Sequence, residues 1–178
     1  NGVRGLEILT REQALRKCPT LSETVTSALY APTAGVVCPY ELTIALAENA
    51  FSNGVRFALG AKVTEIERLA GGWRLTLENG RTLDARTVVN AAGLYADELN
   101  NMVSGRKLKI VPRKGEYCLF DRMAGDIAPL TVFQAPTPMG KGILVTRTVD
   151  GNLLVGPNAV DAEEKTDVNT SREGLDSI

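Results

Sequence analysis

In the stretch "PYELTIALAENAFSN", residues 39–53, Leu42, Ile44, Ala45, Leu46, Ala47, Ala50 and Phe51 recur at helical spacing and cover more than one face. Such a pattern belongs to a helix packed between two layers. Pro39 stands where a first helical residue would and Gly54 where a C′ residue would, so the spacing predicts a well-buried helix over 39–53. The period then changes to two. In "WRLTLE", Trp73, Leu75 and Leu77 alternate with Arg74, Thr76 and Glu78, and the flanking runs "KVTEIERL" and "RTLDA" are set off by Gly71-Gly72 and Asn79-Gly80. This predicts a three-stranded β-meander with one apolar face and a type I′ turn at Asn79-Gly80. The odd spacing of Val63 and Ile66 predicts a bulge in its first strand. "VRFALG" before the meander reads as a strand buried in a parallel sheet. "RTVVN" after it reads as another strand, which stops on Ala91-Ala92-Gly93 and turns at once into a helical pattern.

Toward the ends the signals are more local. Thr10 and Gln13 in "LTREQALRKCP" fit a capping box, with Cys18-Pro19 closing a short helix. "SALYAPTAGVVCP" is extended in character. Beyond residue 105, "LKIVPRKGEYCLFD", "LTVFQAP", "GILVTRTV" and "NLLVG" are strand-like, the last two joined by Asp150-Gly151, a hairpin signal. "NGVRGLEIL" at the start shows no clear element. "NTSREGLDSI" at the end offers Thr170 or Ser171 as an N-cap with Glu173 in the first turn, and a helix is announced as the sequence stops. A piece of a longer protein is the expectation.

Composition narrows the chemistry. The 178 residues are 44% hydrophobic, and 20 basic against 21 acidic residues leave a net charge of -1, which points away from nucleic acid or an anionic membrane as partner. With no apolar run near the ~20 residues of a membrane span and no signal-peptide pattern, a cytoplasmic location is expected. Cys18, Cys38 and Cys118 are widely spaced and read as buried thiols rather than a disulfide framework or a metal site. Histidine is absent, which removes the usual general base and the commonest metal ligand. Catalytic side chains are therefore not identified, and chemistry must come from other residues, a cofactor or another segment.

The end of "RTVVN" is the candidate site. Small residues at the C-terminal end of a strand let backbone amides approach a phosphate or ribose, and the helix that follows offers its positive end. The same Ala-Ala-Gly also permits close strand-to-helix packing without any ligand. The succession helix, buried strand, meander, then a strand ending in "NAAG" resembles the FAD-dependent oxidoreductases of the D-amino acid oxidase superfamily. "ALYAPTAGVVCPYELTIALAENAFSNGV" and "GKGILVTRTVDGNLLVGPNA" resemble its glycerol-3-phosphate dehydrogenase and 2-hydroxyglutarate oxidase branch.

The resemblance implies a mixed α/β fold, part of an FAD-binding Rossmann-like domain with its β-meander, interleaved with an antiparallel substrate-domain sheet. Residues 1–38 would hold a connecting helix and the first substrate-domain strand, 39–104 the partial FAD-binding domain, and 105–178 the antiparallel sheet and the start of a truncated helix. It implies Val63, Ala92 and Gly93 as cofactor-binding positions acting through main-chain groups. Lys141 is implied as a substrate-binding cation facing a phosphate or carboxylate, although it equally fits a solvated turn; Arg147, which alternates with Val145 and Val149 along its strand, is a second candidate that fits either the same cavity or a solvent-facing position. Arg113, Lys114, Glu116 and Tyr117 fit either an anion-binding mouth or a charged strand edge. Met139 and Trp73 read as packing residues. The implied activity is hydride transfer from a small anionic alcohol to flavin, with an amino-acid or 2-hydroxyacid oxidase as the alternative and a self-contained β-rich binding module as the alternative of another class. The implied partners are a small anionic substrate and, for the whole enzyme, an electron acceptor or a peripheral membrane surface. The sequence departs from the family in one respect: it contains no G-x-G-x-x-G loop, so the chain alone is expected to hold FAD weakly or not at all and to be inactive.

Overall fold

The computed structural model describes residues 2–136 and 142–178. In chain order the elements are β1 (Glu7–Thr10), α1 (Arg11–Lys17), β2 (Ser27–Tyr30), α2 (Pro39–Ser52), β3 (Val63–Leu69), β4 (Gly72–Leu77), β5 (Thr82–Ala85), α3 (Ala96–Val103), β6 (Arg113–Lys114), β7 (Cys118–Leu119), β8 (Val132–Phe133), β9 (Leu144–Arg147), β10 (Leu153–Gly156), β11 (Val160–Asp161) and α4 (Arg172–Asp176). Two compact units share them, and the chain passes between the units repeatedly. One unit takes Asn1–Ala47, Lys114–Val160 and Val168–Ile178; the other takes Glu48–Arg113 and Asp161–Asp167.

The first unit is antiparallel throughout. β1 pairs with β2, Glu7 opposite Tyr30 and Thr10 opposite Ser27, and β1 is an element that the sequence pattern does not announce. Thr10 ends it and caps α1 at the same time. Its hydroxyl accepts from the Gln13 amide while the Gln13 side chain accepts from the Thr10 amide at 2.8 Å, so two otherwise orphaned donors are satisfied reciprocally. A four-stranded sheet runs β7-β10-β9-β8, with Leu153 opposite Arg147 and Gly156 opposite Leu144. Leu9, Ala14, Cys18, Ala128 and Leu153 form its buried apolar positions.

The second unit is built on the meander β3-β4-β5. Val63 faces Leu77, then Glu65 faces Thr76 and Ile66 faces Leu75. Two residues thus oppose one across the expected bulge, and Val63 and Ile66 share a face. Arg74 and Asp84 stand directly opposite on β4 and β5 and form a bidentate pair at 2.8 Å on both arms. A Cβ on Gly72 would run into the Ala85 carbonyl, so glycine is required at the start of β4, where it passes the end of β5. Ile66, Leu77 and Ala162 are its buried apolar positions.

Four expectations are corrected. Helix α2 forms and closes with Gly54 at φ +89° in a Schellman arrangement, Val55 N–H to Ala50 C=O and Gly54 N–H to Phe51 C=O. It is nevertheless not buried: Tyr40 is 78% and Phe51 70% exposed, and every residue is exposed or half-buried. Residues 55–60 and 86–90 are irregular rather than strands, with Leu59 92% and Val89 84% exposed. A parallel-sheet strand depends on partners remote in sequence, and neither stretch joins a sheet here. The Asn79-Gly80 turn is not type I′, because no residue other than glycine has positive φ among the described residues. Gly80 alone turns left-handed, at φ +78°, and the Leu77 amide bonds to the Arg81 carbonyl, the three-residue hairpin with a glycine bulge. Of the three cysteines, all free thiols, Cys18 is buried and the other two are half-buried.

Candidate functional site

Val63 and Ala92 meet in one cleft of the second unit, of about 690 Å³, together with Thr64, Tyr95, Glu98 and Met102. The walls are the bulged start of β3 on one side and the turn into α3 on the other. Gly93 follows Ala92 as the first residue of the 3-10 turn Gly93–Tyr95. Its φ is +55° and no atom lies within 4 Å of where a Cβ would stand, so glycine is needed for the backbone angle and not for lack of room. Asn90 fixes this turn from both ends: its Oδ1 accepts from the Ala92 amide at 3.3 Å and its Nδ2 donates to the Ala96 carbonyl at 2.8 Å. Asn90 is a positioning residue that the sequence reading passed over, although an Asn immediately before a small-residue turn is the signal of an Asx bond.

Electrostatics at this end of α3 come from three charges. Asp97 stands in the first turn of α3, where an acid favours the positive helix end, and it is buried, 6% exposed. It accepts from the Ile110 amide at 2.8 Å, the Glu98 amide at 2.9 Å and the Lys165 ammonium at 2.5 Å. The Ile110 amide, with the ammonium beside it, holds the Asp97 carboxyl below the usual carboxylate range despite the opposing effect of burial. Lys165 also donates to Glu98 at 3.1 Å, and its hydrogen bond to Asp97 is the main cause that raises its own pKa. No sequence signal links Lys165 to Asp97, 68 residues earlier.

A smaller, apolar cavity of about 350 Å³ lies between the meander and α3, lined by Ile66, Trp73, Leu75 and Val103 among others. Arg86, Asn90 and Asn100 are also in its lining. Trp73 thus does serve packing. Among the described residues no group of three metal-binding side chains occurs.

The remaining candidates belong to the first unit. Arg147 ends β9, and its guanidinium Nη1 lies 2.9 Å from Asp126 Oδ1 with both side chains well exposed, next to Gly151 of the β9-β10 turn and Gly125. Lys141 and Met139 lie outside the described residues. Glu116 does not line an anion-binding mouth. It is buried, 4% exposed, and accepts from the Ser171 amide at 2.8 Å and Asn158 Nδ2 at 2.9 Å. These bonds, that from Asn158 foremost, hold its carboxyl below the usual range.

The cleft has the size of a small-molecule site, with small side chains at the turn, apolar Leu99 and Met102, and the polar groups of Lys62, Thr64, Tyr95 and Glu98. Val63 and Ala92 both line it, and small residues at that turn leave the backbone open to approach by a ligand such as a dinucleotide. The diphosphate would need a glycine loop that this sequence does not contain.

Comparison with known proteins agrees in kind. The profile of the FAD dependent oxidoreductase family matches residues 1–178. A glycerol 3-phosphate dehydrogenase from Caloramator mitchellensis is 49% identical over 178 residues, all of this chain and 37% of that protein. The dithionite-reduced L-alpha-glycerophosphate oxidase from Mycoplasma pneumoniae with FAD bound superposes with a TM-score of 0.76 at 26% identity, over 92% of this chain and 44% of the other. Glycine oxidase from Geobacillus kaustophilus superposes with a TM-score of 0.74 at 27% identity, over 97% and 44%. The chain spans less than half the length of each of these proteins.

Proposed function

The chain belongs to the FAD dependent oxidoreductase family, and from that premise we propose that it is the central part of a flavoenzyme that oxidises a small anionic alcohol of the glycerol 3-phosphate class. Its mixed α/β fold with antiparallel sheets is the family's, and a β-rich binding module unrelated to flavoenzymes is ruled out by the family match. The single observation that carries the substrate class is the 49% identity to glycerol 3-phosphate dehydrogenase across every residue of this chain. The second unit serves the cofactor side and the first unit the substrate side. The cleft supports this division, because Val63, Ala92 and Gly93 fall together in the unit that carries the meander.

The roles of this chain's residues follow from their chemistry. The Val63 backbone and the Ala92-Gly93 turn cradle the adenosine half, and Asn90 keeps that turn in shape. Bound FAD would accept a hydride from the carbon bearing the hydroxyl. With no histidine in the chain, its residues supply orientation and anion recognition instead of a general base. Arg147 and Lys141 are the cations proposed to meet the substrate's phosphate. Asp126 holds Arg147 only from a strongly solvated position, where an ion pair is weak and gives way to a dianion.

The similarity to glycine oxidase supports a second reading, oxidation of an amine beside a carboxylate, where a bidentate arginine would replace the phosphate site. One experiment separates the two. The protein made from its full reading frame is titrated with FAD, then mixed anaerobically with glycerol 3-phosphate or with glycine. Bleaching of the yellow flavin band by glycerol 3-phosphate supports the first reading, and bleaching by glycine alone replaces it with the second. Alanine at Lys141 and Arg147 is expected to raise KM for the phosphate substrate about tenfold or more while leaving FAD binding in place.

A further inference from the structure

Three residues of one short stretch, Tyr95, Asp97 and Glu98, converge on a single ammonium. Lys165 Nζ bonds Asp97 Oδ1 and Glu98 Oε1 at 2.5 and 3.1 Å and lies 5.3 Å from the centre of the Tyr95 ring. The Lys165 side chain is 17% exposed, and it comes from Asp161–Asp167, a seven-residue excursion of the chain into the second unit. Tyr95 and Glu98 line the 690 Å³ cleft, so the ammonium sits behind one of its walls. Without it, the Glu98 carboxylate in the wall and the Asp97 carboxylate beside it would be answered only by Lys62, the one cation among the described residues of the lining, at a cleft meant for an anionic dinucleotide, and in a partly desolvated site like charges repel over several ångströms.

We propose that Lys165 is a positioning residue for the cofactor: it holds Tyr95 and Glu98 as the wall of the cleft and cancels the acidic charge that would repel an anionic dinucleotide. The proposal rests on the reading of this cleft as the cofactor site. It gives a purpose to the 161–167 excursion, whose lysine reaches back to the start of α3. Removing the ammonium leaves the Asp97 bonds to the Ile110 and Glu98 amides in place. The fold at α3 therefore persists while the charge beside the cleft becomes unbalanced.

The test is a flavin fluorescence titration with FAD, at low and high salt, on the protein made from its full reading frame. Lys165→Met is expected to raise the Kd about tenfold, with a smaller loss at high salt because screening weakens the repulsion. Glu98→Gln added to Lys165→Met should recover most of the affinity, and Lys165→Arg should bind as the parent does. A Lys165→Met protein that binds FAD as tightly as the parent overturns the proposal, and so does a loss that Glu98→Gln does not relieve. Should Lys165→Met fail to fold, Glu98→Gln alone decides: it is expected to tighten binding, and a weakening overturns the proposal. A parent protein that binds no FAD at all overturns the cofactor reading itself, an outcome distinct from a parent that binds while Lys165→Met makes no difference.

Discussion

Gly174 stands within α4 with the place of its missing side chain filled by Glu116: a Cβ there would overlap the Glu116 carboxylate and approach the Ser171 hydroxyl. Replacing a helix-interior glycine by alanine ordinarily stabilises by about 1 kcal/mol. Here the sign reverses, and Gly174→Ala is expected to lose about 1–3 kcal/mol through overpacking, read as a lower midpoint in chemical denaturation. Glu116 and Asp97 share a second behaviour. Both carboxyls titrate lower in the fold than in the unfolded chain, so their stabilisation is complete above the ordinary carboxylate range and is lost as pH falls through the depressed values. Thermal melting between pH 7 and pH 3 is expected to show an acid limb, and Glu116→Gln should flatten it. Neither residue's role was legible in the sequence. Glu116 finds Ser171 across 55 positions and Asp97 finds Lys165 across 68, and no local pattern encodes a partner so far away. What could be read at this scale was backbone need: glycine at 93 marks a turn because of the positive φ it alone adopts easily.

At the scale of elements, what the sequence predicts correctly is what closes on itself within a few residues. The capping box of α1, the alternation of the meander and the bulge at its start all depend on neighbours less than about fifteen positions away. The two expected parallel strands, 55–60 and 86–90, depend on ladders that local pattern cannot supply, and they are irregular here. Turn chemistry was legible to the level of the glycine and not of the turn type. The β9-β10 connection repeats the solution of the β4-β5 connection: the Thr148 amide bonds to the Asn152 carbonyl, the Gly151 amide to the Thr148 carbonyl, and Gly151 has φ +90°. In both hairpins the left-handed residue is the glycine alone. Gly80→Ala and Gly151→Ala are each expected to cost about 1–2 kcal/mol, measurable by chemical denaturation, whereas Asn79→Ala should cost far less because Asn79 keeps negative φ and gives only its side-chain bond to the Arg81 amide.

For the whole molecule, helical and antiparallel signals alternate along the chain and two compact units share it; in the proposed reading the second unit serves the cofactor and the first the substrate. Exposed apolar side chains such as Ile8 at 81% in the first unit and Leu59 at 92% in the second show that local packing leaves surface uncovered in both units. Burial was accordingly the least legible property. The amphipathic period of α2 correctly called for a helix, but period alone does not say what covers it.

The threading also limits how the chain can be taken apart. One unit is assembled from three stretches of sequence and the other from two, so any single scission in the loops leaves part of at least one unit on each side of the break. A protease nick in the 104–112 connection is therefore expected to yield two bands on a denaturing gel and one species in native size-exclusion. Excising 48–113 as a stand-alone module would leave Lys165 behind on the discarded chain, and with it the counter-charge for the acids at the start of α3. In transplant experiments this protein behaves as an interlaced pair rather than as beads on a string.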